Sequence, residues 1–222
     1  DEFGGEYMSL KIRVYSDYVW PYCFIAEAPL DEAIKGKDVE VEWMPFELRP
    51  YPTPTLKPEE DYLQNTWKNS VYPTADRFGI RIVLPRVSPQ PYTHLAFEGF
   101  QFAKEHGKAT EYNHRVLKAF FQEERNIGEI PVLTELAEEI GLDGESYRKS
   151  LETRKYKEVH EKALHHAYEE AKITAVPTFI IGDRVLPGLY SQKTLEDVID
   201  QEMKKCEGTF GEGMVCGVDG CD

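Results

Sequence analysis

Alternating apolar and polar positions indicate two strands near the start of the chain. The run LKIRVYS from Leu10 and the later segment DVEVEWMPFEL both alternate in this way, which predicts two β-strands. A helix is expected between them, beginning near Trp20 and Pro21, because proline suits the first turn of a helix. Pro29 predicts a kink in this helix, and Gly36 predicts its end. This order is that of a βαβ unit with parallel strands and a right-handed crossover.

The middle of the chain has the periodicity of helices. After a proline-rich bridge, RPYPTPTLKPEE, apolar residues recur three and four positions apart in successive segments. The positions expected to face a core are Leu95, Phe100 and Ala103, then Val116, Leu117, Phe120 and Phe121, and then Leu133, Leu136 and Ile140. Gly141 is the expected cap of the last of these helices. A long, strongly charged segment that follows is expected to be helical as well.

The strand pattern returns near the C-terminal end. AVPTFIIGDRVLPG holds two short apolar runs around Gly182 and Asp183, which predicts a hairpin. SQKTLEDVIDQEMKK predicts a last helix, capped by Ser191 or Thr194. The fold class is therefore α/β, a small domain interrupted by an all-helical insertion. The expected boundaries are 8–52 for a βαβ half, 53–173 for the insertion, 174–205 for a ββα half, and 206–222 for a flexible tail rich in cysteine and glycine.

Composition and charge narrow the classes of partner. The 222 residues are 41% hydrophobic and 12% aromatic, enough for a sizeable packed core. The net charge of -14 disfavours duplex nucleic acid and anionic membranes as partners, because both would repel the chain. No apolar run approaches the roughly 20 residues that span a bilayer. Residues 1–7, DEFGGEY, do not have the pattern of a signal peptide. With a natural start at Met8, we expect a cytoplasmic protein with reduced cysteines.

The first candidate for chemistry lies in SDYVWPYCFIA. A Cys-x-x-Cys motif at this place would put its exposed nucleophile at the helix start and its resolving cysteine one turn later. Here Trp20 has the first place and Cys23 the second. The helix dipole stabilises a thiolate, whereas burial one turn into the helix would raise the pKa of Cys23. Cys23 is thus either an inert core residue or a single-cysteine nucleophile.

The C-terminal tail contains the second candidate. Cys216 and Cys221 are separated by four residues in a glycine-rich segment that could close into a disulfide. We expect both to react with soluble thiol reagents faster than Cys23 does. Together with Cys206 they do not have the usual spacing of a zinc site, so no metal is predicted.

Two further features have ordinary structural interpretations. His160, His165 and His166 lack the i, i+4 spacing of a helical metal pair, so we expect surface residues. Pro177 precedes a predicted strand, where proline is often only an edge feature. The local sequence leaves open whether its peptide bond is cis.

Taken together, these segments resemble the DsbA-like branch of the thioredoxin superfamily, especially its cytoplasmic FrnE-like members. SDYVWPYCFIA is similar to the family's Asp-x-x-Cys-Pro-Trp-Cys active site, and PFELRP, AFFQEERNIGEIPVLTELAEEIGLD and AVPTFII match in the same order. The closing CGVDGC resembles the carboxy-terminal Cys-x4-Cys of some FrnE-like proteins. The chain is also similar to 2-hydroxychromene-2-carboxylate isomerases and kappa-class glutathione transferases. The resemblance extends over nearly the whole chain after Met8.

The resemblance implies a thioredoxin fold with a helical insertion between its second and third strands. It implies that Pro177 is a cis-proline facing the active-site helix, and that Val176 offers backbone groups to an extended substrate. Trp20, Pro21 and Tyr22 would then form the rest of the substrate site. Trp20 departs from the family pattern, because dithiol members have the nucleophilic cysteine at this place and the isomerases and kappa transferases commonly have serine.

The function that this resemblance implies is that of a thiol–disulfide oxidoreductase with an altered active site. Cys23 would act alone or exchange with Cys216 and Cys221, on a protein or small-molecule thiol or disulfide. One alternative is an isomerase or transferase of the same fold that uses bound glutathione, the one cofactor that the resemblance allows. The other is a catalytically silent peptide-binding or chaperone-like protein. We expect a monomer or a homodimer.

Overall fold

A single four-stranded sheet lies at the centre of the computed structural model, which describes residues 9–208. The strands are β1 (Leu10–Ser16), β2 (Val39–Pro45), β3 (Thr178–Ile181) and β4 (Arg184–Pro187), in the order β2-β1-β3-β4. β1 pairs in parallel with β2 and antiparallel with β3, and β3 pairs antiparallel with β4. The predicted βαβ unit and the predicted hairpin are both confirmed.

Two short helices, α1 (Pro21–Ile25) and α2 (Glu27–Ile34), connect the parallel strands. The break between them follows from Pro29, which has no N–H to donate to the carbonyl of Ile25, four residues earlier. The predicted kink is therefore present as a break at Ala26. The chain leaves this helical segment at Gly36, whose φ of +70° favours glycine.

The segment between β2 and β3 contains helices and no strand. Its helices are α3 (Asp61–Thr66), α4 (Tyr72–Phe78), α5 (His94–Glu105), α6 (Ala109–Glu123), α7 (Ile130–Glu139), α8 (Gly144–Glu152) and α9 (Lys157–His165). Two π-helical turns, Trp67–Val71 and His166–Glu170, directly follow α3 and α9. The predicted fold class, α/β with an all-helical insertion between the βαβ and ββα halves, is confirmed.

One hydrophobic core is continuous from the sheet into these helices. Ile12 of β1 and Phe179 of β3 belong to the same buried cluster as the four predicted apolar residues of α6. The prediction is less good for Leu95 and Ile140, which are only half-buried. No helix within residues 9–208 is both long and apolar enough to cross a membrane.

The last helix, α10 (Gln192–Gly208), packs against α2 on the sheet. The hydroxyl oxygen of Ser191 accepts the N–H of Thr194 at 3.2 Å, which confirms Ser191 as the cap. Cys206, near the end of α10, is exposed, whereas Cys216 and Cys221 lie outside the described residues.

Candidate functional site

A buried carboxylate, Asp17, holds the loop that joins β1 to α1. It accepts the N–H of Leu48 at 2.8 Å and the hydroxyl of Thr93 at 2.9 Å. Burial raises the pKa of Asp17 to about 7, although these two hydrogen bonds favour its charged form. Leu48 follows β2 and Thr93 precedes α5. The side chain of Asp17 therefore fixes this loop both to the sheet and to the helical insertion.

Trp20 is the residue directly before α1. Its backbone is extended, with φ of -101° and ψ of 117°, and Pro21 is the buried first residue of the helix. The half-buried indole packs on the cluster around Cys23 and lies 5.4 Å from the ring of Tyr22. Neither Trp20 nor Pro21 lines the main cleft described below. The indole therefore acts chiefly as a packing group beside the helix start.

Cys23 is a protonated, enclosed thiol. Only 2% of its surface is exposed, among Tyr15, Phe46 and Val176. Burial raises the pKa of Cys23 to about 12, because the hydrogen bonds from the Asp17 backbone and the Ser16 side chain offset only part of the cost of desolvation. A thiol that is neither ionised nor accessible is a poor nucleophile.

A cleft of about 940 Å³ lies beside α1, a volume in the range typical of small-molecule sites. It is bounded by α1, α2, the Trp67–Val71 π-turn, α4, the loops before β3 and after β4, and the start of α10. The lining side chains with polar groups are Tyr22, Glu32, Ser70, Thr74, Arg77, Ser191 and Gln192. Cys23 does not line it.

Val176 and Pro177 line the cleft. The peptide bond between them is cis. The carbonyl of Pro177 accepts the N–H of Gly188 at 2.7 Å, which ties this loop to the end of β4. No backbone hydrogen bond among the described residues involves Val176, which is 6% exposed, so its N–H and C=O have no partner within residues 9–208.

Hydroxyl groups meet at one side of the cleft. The phenol of Tyr22 forms a hydrogen bond with the hydroxyl of Ser70, which links α1 to the Trp67–Val71 π-turn. Ser70 and Arg77 were not predicted as site residues, because neither lies in a recognisable motif. Only the folded chain brings them beside Tyr22.

The walls of the cleft offer charges of both signs. Arg77 has an exposed guanidinium whose Nη2 is 3.4 Å from the hydroxyl of Thr74. Glu32 is exposed on α2 and accepts a hydrogen bond from the ammonium of Lys35 at 2.6 Å. Ser191 and Gln192 stand at the N-terminus of α10, where the helix dipole is positive. The unpaired positive groups of this arrangement suit a ligand with a carboxylate group.

The prediction that His160 is a surface residue is wrong. It is 2% exposed, and its Nε2 lies 2.9 Å from Oε2 of the buried Glu47. Glu47 is 113 positions away along the chain, so no local pattern could reveal the pair. His165 is exposed, as predicted, whereas His166 is half-buried and hydrogen-bonds to Tyr15 at 2.7 Å. Within residues 9–208, no cluster of histidine, cysteine and acidic side chains is arranged to hold a metal ion.

A family model and one curated relative match nearly the whole chain. The model of the DSBA-like thioredoxin domain matches residues 11–200. Protein YwbO of Bacillus subtilis (strain 168) is 60% identical over 199 residues, which are 89% of this chain and 100% of that protein.

Solved structures with low identity share the fold. A probable DsbA oxidoreductase from Streptomyces coelicolor has a TM-score of 0.74 at 20% identity, covering 96% of this chain and 98% of its own. A 2-hydroxychromene-2-carboxylate isomerase has a TM-score of 0.70 at 17% identity, with coverages of 90% and 97%. The cytosolic disulfide reductase DsbM from Pseudomonas aeruginosa, solved with GSH, has a TM-score of 0.66 at 19% identity, with coverages of 90% and 98%.

Proposed function

The chain belongs to the DSBA-like thioredoxin domain family, and we propose that its reacting sulfur is that of a bound low-molecular-mass thiol. The observation that carries this proposal is that Cys23 is separated from the cleft. The cleft holds the cis-Pro177 loop and a pair of hydroxyls, while Cys23 is buried outside it with a pKa of about 12. Thiol chemistry in the cleft therefore requires a sulfur other than that of Cys23, and we assign it to a bound ligand.

Peptide-like thiols of the glutathione type suit the groups around the cleft. The free backbone groups of Val176 can pair with an extended peptide, as a strand adds to a sheet edge. Arg77 and the start of α10 can receive a carboxylate, whereas the carboxylate of Glu32 already pairs with Lys35. The solved structure of DsbM with GSH, a protein of the same fold, is consistent with such a ligand.

Tyr22 is the residue that we assign to the ligand's sulfur. A phenol that donates a hydrogen bond to a thiolate favours the charged form and so lowers the pKa of the ligand's thiol. The thiolate attacks one sulfur of a substrate disulfide, forms a mixed disulfide with it and releases the other sulfur as a thiolate. Ser70 orients the Tyr22 phenol through their shared hydrogen bond. A cytoplasmic location fits this role, because the ligand must be kept reduced.

Glutathione and S-methylglutathione test this assignment, because the methylated peptide cannot form a thiolate. We expect Tyr22→Phe to weaken glutathione binding roughly tenfold or more, since a hydrogen bond to a charged acceptor is lost. The affinity for S-methylglutathione should change little. Titration calorimetry measures both, and Tyr62→Phe, an exposed tyrosine outside the cleft, is the matched control.

The rate of thiol–disulfide exchange with a small disulfide then identifies the reacting sulfur. Glutathione-dependent reduction of hydroxyethyl disulfide should persist in Cys23→Ser and fall in Tyr22→Phe. A folded Cys23→Ser protein that binds glutathione yet has lost this activity would contradict the proposal and return the chemistry to the chain's own thiol.

Peptide binding without chemistry is the second candidate function. The free backbone of Val176 favours it, because strand-like pairing needs no sulfur. In that case the wild-type protein would bind glutathione and S-methylglutathione equally well and would not accelerate exchange.

A further inference from the structure

The loop of residues 171–177 brings Val176 and Pro177 to the cleft. It begins directly after the His166–Glu170 π-turn and leads into β3. The proposed function assigns the backbone groups of Val176 to an extended peptide ligand. Pairing with backbone groups requires that they stand at a defined distance and angle. Whatever fixes the position of this loop therefore affects what the cleft can bind.

The loop is tied to the His166–Glu170 π-turn at its start. The N–H of Ala171 donates to the carbonyl of His166 at 2.8 Å, and the N–H of Ile173 donates to the carbonyl of Ala167 at 2.9 Å. Ala167, Ile173 and Val176 also belong to the same small buried cluster. A displacement of the turn would therefore be transmitted to the backbone of Val176.

His166 connects this π-turn to the central strand β1. Its Nε2 lies 2.7 Å from the phenol oxygen of Tyr15, which is 1% exposed. Burial raises the pKa of Tyr15 from 10, so the phenol keeps its proton and donates it to Nε2. Nδ1 then carries the ring hydrogen and donates to a carboxylate oxygen of Glu170 at 3.0 Å, which favours this tautomer.

Tyr168 gives the same turn a second anchor. Its phenol donates to the backbone carbonyl of Glu47, which follows β2. Its ring packs edge-on against Phe46 at 5.2 Å. A change at His166 therefore leaves the turn attached to the sheet, so variants of this residue should fold. Helical turns of the π type are frequent at functional sites.

We propose that His166 is a positioning residue of the cleft. Its hydrogen bond to Tyr15 sets the position of the π-turn and, through the turn, that of the Val176 backbone. The ligand that pairs with Val176 is that of the proposed function, on which this assignment rests. Tyr15 and His166 do not line the cleft, so they act on ligand affinity and take no part in the chemistry that we assign to Tyr22.

The affinity for S-methylglutathione measures this role, because that peptide has no thiolate for Tyr22 to stabilise. Tyr15→Phe removes the donor of the contact, and His166→Leu removes the acceptor. We expect each variant to bind S-methylglutathione roughly tenfold more weakly, as for the loss of one hydrogen bond. The double variant should be no weaker than either single variant, because both changes remove the same contact.

His166→Gln separates positioning from mere bulk. Its carboxamide oxygen can accept the Tyr15 phenol in place of Nε2, so we expect an affinity close to that of the wild type. His165→Gln, a change at the exposed neighbouring position, is the matched control. Titration calorimetry measures all of these affinities. Equal affinity in the wild type, Tyr15→Phe and His166→Leu would contradict the proposal.

Backbone hydrogen exchange tests the same contact without a ligand. In Tyr15→Phe, we expect the amides of Ala171 and Ile173 to exchange roughly tenfold faster, with no change in α5 or α6. Unchanged exchange at both amides would overturn the role of His166 even if the cleft binds glutathione. Faster exchange in a protein that binds neither glutathione nor S-methylglutathione would support the role of His166 in the loop and reject the proposed function instead.

Discussion

At the scale of single residues, Trp20 shapes the environment of the buried thiol of Cys23. Trp20 packs on the cluster that encloses Cys23, and burial raises the pKa of that thiol to about 12. Even so, the backbone between the two residues keeps the geometry of one helical turn, with the N–H of Cys23 donating to the carbonyl of Trp20 at 3.1 Å. A cysteine at position 20 would therefore lie one helical turn before Cys23.

Trp20→Cys should create a dithiol that reduces disulfide-bonded protein substrates. The new thiol would stand directly before α1, where the helix dipole stabilises its thiolate, and Cys23 would resolve the mixed disulfide. Truncating a fully buried tryptophan costs about 3–5 kcal/mol, and Trp20 is only half-buried, so the variant should fold. The measurement is thiol-dependent reduction of a disulfide-bonded protein. Trp20→Ser and Trp20→Cys/Cys23→Ser are measured in the same assay as controls. Equal activity in all three variants would mean that the reacting sulfur is elsewhere.

At the scale of elements, three helices meet at a glycine that has no space for a side chain. Gly99 of α5 faces the hydroxyls of Tyr112 on α6 and Tyr147 on α8, which hydrogen-bond to each other at 2.7 Å. A Cβ at this position would lie 2.8 Å from Cζ of Tyr147 and closer still to both hydroxyl oxygens. The close approach of α5 to its two neighbours thus depends on this glycine.

Gly99→Ala should lower the free energy of unfolding by about 1–3 kcal/mol, the usual cost of overpacking a core. This loss would exceed the gain of up to about 1 kcal/mol that alanine brings to a helix interior. Urea unfolding measures the change in the free energy of unfolding. The control is the Tyr147→Phe background, in which the same substitution should cost less, because one of the opposing oxygens is gone. An unchanged or higher stability for Gly99→Ala would show that the helices move apart freely.

Elements defined by local pattern were predictable, whereas the site was predictable only in part. The alternation in β1 and the apolar stripe with Phe120 and Phe121 depend on residues a few positions apart, and both were found from the sequence. The two π-helical turns have no local signal that separates them from α-helix. Ser70 and His160 gain their roles from Tyr22 and Glu47, 48 and 113 positions away, which periodicity cannot reveal.

At the scale of the whole molecule, polar contacts fix the helical insertion to the sheet half. His114 of α6 contacts Glu27 and Asp31 of α2 through its two ring nitrogens. Asp17 bonds to Thr93, and Glu47 pairs with His160. These contacts need defined geometry, so they hold one orientation where hydrophobic packing alone would tolerate several.

The contact of His114 makes stability depend on pH in a defined window. Burial lowers its pKa, but the hydrogen bonds to Asp31 and Glu27 more than offset this and raise the pKa from 6.5 to about 10. The folded state therefore holds a proton that the unfolded state has lost, so this contribution is full below pH 6.5 and disappears as the pH rises towards 10. The difference in unfolding free energy between the wild type and His114→Gln should shrink across that window.

Urea unfolding at a series of pH values measures this difference. The matched control is His165→Gln, whose exposed ring has no carboxylate partner within residues 9–208. A gap between wild type and His114→Gln that stays constant up to pH 10 would rule out a protonated His114 as the link between α2 and α6.

Peroxide attacks cysteine through its thiolate, giving first a sulfenic acid and then, irreversibly, a sulfinic acid. With 2% of its surface exposed and its proton retained far above neutral pH, Cys23 lacks both the access and the charge that this attack needs. A dithiol relative would present an oxidisable nucleophile at position 20, where this chain has an indole. With the reactive sulfur on a replaceable ligand, an oxidant would consume the ligand first, and fresh thiol would restore the cleft without repair of the protein.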